Sequence, residues 1–136
     1  MSWLRRHVGL LLALYVVLLV VVLLSPTSVP QWSAVRWAVQ LLRDLGLPRD
    51  VTRYSQLEIL SNIVIIAPLT FLASLLRPSY GWRDWTALGF VASSAVEALQ
   101  GLLLPDRHAS FSDIVANTLG ALVGAVLARL VLRRGR

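Results

Sequence analysis

Four stretches of this chain are apolar almost throughout: residues 7–24, 57–76, 85–104 and 113–132. Each is close to the ~20 residues that an α-helix needs to cross a ~30 Å hydrocarbon core. Arg, Pro or Trp bounds every one of them. A helical bundle buried in water would need polar helix faces, and these stretches lack them. The pattern therefore predicts an all-α, polytopic membrane protein with four transmembrane helices in a single domain over residues 1–136. The first stretch follows Arg5-Arg6 and has a second reading as a signal peptide. Its length, the lack of a small-x-small site after it and the three further stretches count against cleavage.

Between the first two stretches the period changes. After Ser25-Pro26, the residues Val35, Ala38, Val39, Leu42 and Leu45 recur at helical spacing. Arg36, Gln40 and Arg43 share another face, and Gly46 with Pro48 ends the pattern. A short amphipathic helix over about 33–45 is expected in this first outer loop. Two placements stay open for it. It could lie flat in the interface with Trp32 and Trp37 as anchors, or pack on the other spans as an ordinary loop helix.

Composition sharpens the membrane assignment. Hydrophobic residues make up 57% of the 136 and charged residues 15%, against about 25% charged in a soluble domain. Seven of the eight Trp and Tyr residues lie at or beyond span ends, as an interfacial aromatic belt requires. Tyr15 alone is mid-span. The net charge of +6 comes from 13 basic residues, all Arg and nearly all at span ends. Membrane anchoring accounts for them, so no nucleic-acid partner is inferred. The absence of Cys excludes disulfides, thiolate metal sites and Cys nucleophiles. Arg5, Arg6, Arg77, Arg83, Arg133, Arg134 and Arg136 fall on one side of the membrane. Arg36, Arg43, Arg49, Arg53 and Arg107 fall on the other, and Arg129 lies inside the last span. This bias places both termini in the cytoplasm.

Ionisable residues inside spans cost several kcal/mol unless they face a cavity, a partner or the bundle interior. Three groups occur here. Glu58 and Asn62 are four apart in the second span. Glu97 and Gln100 are three apart in the third, with Ser93 one turn below. Asp113 and Asn117 are four apart in the fourth, and their stripe continues as Gly120 and Gly124. At ~1.5 Å rise per residue, Glu97 lies about 10 Å below its span end, and Asn62 and Asn117 about 6–8 Å below theirs. Helix alternation brings these ends to one side, the outer one in the preferred orientation. The connector over 105–112 caps that level. Ser112 or Asp113 is expected to N-cap the fourth helix, and Arg107 is near enough in sequence to reach Asp113 or Glu97.

Each feature has a structural alternative. Gly120 and Gly124 make a close-packing face, and Asn62 and Asn117 can serve as interhelical hydrogen-bond glue. Pro68 reads as a kink or a tolerated break, and an Arg107–Asp113 pair could simply fix the loop. Glu97 is the hardest to explain as structure alone. His7 and His108 are too far apart in the fold to suggest a metal, so neither a metal nor a cofactor is expected. No Walker, dinucleotide-binding, His-Glu-x-x-His or G-x-S-x-G motif is present.

At these residues the chain resembles the VanZ-like family of bacterial membrane proteins. The resemblance rests on Glu97-x-x-Gln100, then Arg107, then Asp113-x-x-x-Asn117-x-x-Gly120 and Gly124. Glu58-x-x-x-Asn62 followed by Pro68, and the Leu24-Ser25-Pro26 exit from the first span, extend it over about residues 20–125. Thr70 departs from the pattern, which would place a Gly shortly after the Pro. The resemblance implies a protein of the bacterial cytoplasmic membrane acting at the cell envelope. The family's namesake is associated with resistance to teicoplanin, a lipoglycopeptide. The leading expectation is an outward-facing cluster of Glu58, Asn62, Glu97, Gln100, Arg107, Asp113 and Asn117 that engages a lipid-linked cell-wall precursor or a lipid-anchored ligand, lowering susceptibility to such drugs. A membrane enzyme using Glu97 or Asp113 as acid or base, with Arg107 on phosphate, is the second. A scaffold or small transporter forming homo-oligomers through Gly120 and Gly124, with membrane lipids as its other partners, is the third.

Overall fold

A computed structural model describes residues 2–23, 29–46, 48, 54–103 and 110–134. Among these, five helices and no strand occur: α1 (Ser2–Leu23), α2 (Val29–Asp44), α3 (Tyr54–Leu76), α4 (Trp82–Leu103) and α5 (Phe111–Arg134). Gln56–Leu76, Trp82–Leu103 and Phe111–Arg134 are long and apolar enough to cross a membrane. The helices outrun the apolar stretches that predict them, because polar residues at span ends continue the hydrogen-bond ladder into the interface. α3 thus begins at Tyr54 rather than at residue 57.

The core is built from small residues. Ala116, Gly120, Ala121, Gly124, Ala125 and Ala128 form the buried stripe of α5, while Leu119, Val123, Val126, Leu127, Leu130 and Val131 point outward. Lipid tails are as apolar as leucine, so burying leucine gains little in a bilayer. Close backbone approach with dense van der Waals contact holds such helices together instead.

α5 is central. It packs along α3 and on α4, while α1 and α2 pack on α3. α3 and α5 run parallel: Gly120 faces Ile63 and Ile66, and Gly124 faces Ala67, Thr70 and Phe71 one turn on. A Cβ on Gly120 would sit 2.8 Å from the Ile63 carbonyl oxygen and 2.9 Å from the Ile66 Cβ. On Gly124 it would overlap the Ala67 carbonyl oxygen and the Thr70 hydroxyl. The two glycines are therefore spent inside the protomer, which leaves no room on that face for a second copy. Thr70, the departure from the family pattern, sits buried in the space that Gly124 opens, its Oγ1 donating back to the Ile66 and Ala67 carbonyls at 3.4 and 3.2 Å. α4 runs antiparallel to α5, with Gly89 against Ala121 and Ser93 near Ile114.

Pro68 lies inside α3. It withdraws a donor from the carbonyl of Val64 and crowds that turn. The neighbouring Ile65 carbonyl accepts a hydrogen bond from the Tyr15 hydroxyl at 2.7 Å. Tyr15 is thus absent from the aromatic belt because it ties α1 to α3 beside the proline turn.

The ends carry the expected anchors. Asp84 caps α4 by accepting the Gly81 amide at 2.7 Å. Arg83 lies 5.2 Å over the Trp82 ring, and Tyr80 meets Trp85 at 5.6 Å. α2 packs on α3, and its Val39 is buried. Arg36, Gln40 and Arg43 are exposed, and so are Trp37 and Leu45.

Candidate functional site

The start of α5 organises the polar level. Ser110, not Ser112 or Asp113, is its N-cap: the Asp113 amide donates to the Ser110 carbonyl at 3.2 Å and to its hydroxyl at 3.4 Å. The cap falls there because α5 begins at Phe111, two residues earlier than the apolar pattern implies. In a capping box the acidic residue at the third helical position returns a bond to the N-cap amide. Here Glu97 of α4 takes that place, its Oε2 accepting the Ser110 amide at 2.8 Å. Asp113 is released to face α3, where its Oδ1 accepts from Asn62 Nδ2 at 2.9 Å. One helix start thus binds three helices together. The positive end of the α5 dipole also gives the Glu97 carboxylate, only 6% exposed, a reason to be buried.

These contacts surround a cavity of about 290 Å³. Asn62, Glu97, Gln100, Asp113 and Asn117 line it. The rest of the wall is mostly apolar: Ile65, Ile66 and Leu69 from α3, Gly89, Ala92 and Val96 from α4, with Thr70 and Ser93 as polar exceptions. α1 closes a further side with Val16, Leu19 and Val20. The cavity exists because α3 and α4 each pack on α5 and hardly on one another.

Of the residues expected to form a site, five line this space and one does not. Glu58 stands half-buried beside it, with its backbone carbonyl accepting from Ser61 Oγ at 2.8 Å. Arg107, with the rest of 104–109, lies outside the described residues, and so does its expected pairing. Gly120 and Gly124 pack one helix turn and more below the polar level. The contribution of α1 was not legible in its apolar run. Tyr15, the one Trp or Tyr away from the belt, was the available signal that this helix faces the bundle.

A bundle of long apolar helices with polar side chains gathered around an internal cavity defines a helical membrane protein with a candidate ligand site. The VanZ/LLP1 family matches residues 11–132, and the chain belongs to that family. No curated protein and no solved structure matches it.

Proposed function

We propose that this protein crosses the bacterial cytoplasmic membrane four times, with α1 as the fourth span and both termini in the cytoplasm, and that its outward-facing cavity engages a lipid-linked or lipid-anchored ligand of the cell envelope. α1 supports the fourth span through its 22 residues and its exposed Leu10, Leu11, Leu14, Val17, Leu18 and Val21. Arg5, Arg6, Arg77, Arg83, Arg133 and Arg134 support the orientation.

The observation that carries the ligand reading is the two-part lining. Two carboxylates and three amides share the lining with apolar side chains of α1, α3 and α4. Such a surface suits a molecule with a polar head and a hydrocarbon part. Within the same reading, occupancy of the site lowers susceptibility to lipoglycopeptides.

The test uses Asn117→Leu and Glu97→Gln in the full chain, reconstituted in nanodiscs, with a radiolabelled polyprenyl phosphate as the probe. Both variants should fold and lose at least tenfold in binding, and a host carrying them should lose any added tolerance to a lipoglycopeptide. Binding and tolerance equal to the parent in both would make the polar level structural. Conversion of the probe to a new product would replace the binding reading with the enzymatic one.

A further inference from the structure

The cavity has a length and a bore as well as a lining. Along α3 it extends from Asn62 to Thr70, and along α4 from Gln100 to Gly89, which is about 12–16 Å of helix rise. Its volume of about 290 Å³ lies at the lower edge of ligand-pocket volumes, roughly 300–1,000 Å³, and suits a slender part of a ligand better than a bulky head. The walls also show where such a part comes in. α1 packs on α3 and at most grazes α4, and Val16 and Val20 line the cavity while remaining 41% and 45% exposed. Ala92 on the opposite wall is exposed as well. The cavity therefore communicates with the surrounding lipid between α1 and α4.

We infer that the occupant is a hydrocarbon chain of a membrane amphiphile, taken sideways from the outer leaflet through the gap between α1 and α4, with its first polar group held among Asn62, Gln100 and Asp113. The inference rests on the reading of the cavity as a ligand site, and adds the chemical class of the part that enters and its route. Any larger head stays above the polar level, outside the protein. The small side chain of Ala92, exposed on the α4 wall, leaves the bore open there. Thr70 and Gly89 mark its inner limit. An extended chain advances about 1.2 Å per bond, so roughly 10–13 carbons reach that limit.

A molecular ruler tests this. Lysophosphatidylcholines of 8, 12 and 16 carbons, each with a diazirine at the chain end, are photolysed with the full-length protein in nanodiscs, and the labelled residues are mapped by mass spectrometry. The 8-carbon probe should label near Ser93 and Leu69, and the 12-carbon probe near Gly89 and Thr70. The 16-carbon probe should label no deeper than the 12-carbon one. Labelling should saturate and be competed by unlabelled lysolipid. Ala92→Phe, which plugs the bore, should reduce it at least tenfold, and Ala92→Ser should not. Val16→Phe plugs the bore from the α1 side if Ala92→Phe fails to fold. Non-saturable labelling of outward residues such as Leu14 and Leu99, unchanged by either plug, overturns the inference. A companion probe with its diazirine in the head separates the two levels. If it labels the segment Glu97 to Gln100 while chain-end probes label only outward residues, the site stands and the chain route falls. If neither probe labels the cavity, both fall.

Discussion

Gly124→Ala adds one methyl group where α5 lies closest to α3. The new Cβ would overlap the Ala67 carbonyl oxygen and the Thr70 hydroxyl, and would lie 2.9 Å from the Phe71 amide nitrogen. Two of those three atoms are backbone, so no rotamer change relieves the crowding and the helices must part. Overpacking of this kind costs about 1–3 kcal/mol. The better helix propensity of alanine offsets at most about 1 kcal/mol of it. A net loss of roughly 1–2 kcal/mol is expected. Thr70→Gly removes one of the overlaps and leaves the Ala67 carbonyl, so it should recover part of the loss. The double variant should be more stable than the sum of the single changes by about 0.5–1 kcal/mol. Equilibrium unfolding in mixed micelles, followed by the fluorescence of the five Trp residues, reads this directly. A thiol-reactive dye would not, because the chain has no Cys. Gly124→Ala as stable as the parent, or strict additivity with Thr70→Gly, would refute the packing described for α3 and α5.

The Asn62–Asp113 bond should show in a double-mutant cycle to alanine as a coupling of about 0.6–1.7 kcal/mol, the range for hydrogen bonds between membrane helices; zero coupling would remove it as a tie between α3 and α5. Tyr15→Phe should cost about 0.5–1.5 kcal/mol in the same unfolding assay, and no loss would show that the Ile65 carbonyl does not depend on it. A spin label at Val39 should report immobilisation against protein, while labels at Arg36 and Gln40 report water; equal mobility at all three would detach α2 from α3. A reporter enzyme active only in the cytoplasm should work when fused after Arg136 and fail when inserted near Pro48, and activity at Pro48 would reverse the orientation.

Much of the candidate site was legible because burial inside a membrane is costly for polar groups. Asn62, Glu97, Gln100, Asp113 and Asn117 stand out from apolar runs, and helix alternation places them on one side before any contact is known. Their roles were not legible in the same way. Glu97 reads in isolation as the residue hardest to explain by structure, yet it accepts the Ser110 amide at the start of α5. No spacing rule links positions 97 and 110, because the bond joins two helices across a connector. Ser110 itself looks like one of several polar residues in that connector. Glu58 carries the same polar signature as its neighbour Asn62 and still stands outside the cavity, since it lies on the same face one helix turn, about 6 Å, before the lining begins.

The chain alone determines that it forms long helices suited to a bilayer, since hydrophobic length and the placement of Arg, Trp and Tyr answer to the membrane as solvent. It also determines which stripe of the last helix can approach a neighbour, because Gly and Ala permit that approach to any partner. Only the tertiary structure decides that the partner is α3, that this contact uses up the glycines within one protomer, and that α3 and α4 are left apart. The cavity is the consequence of that last separation. A void is a property of how helices miss one another, and no local pattern of residues encodes it.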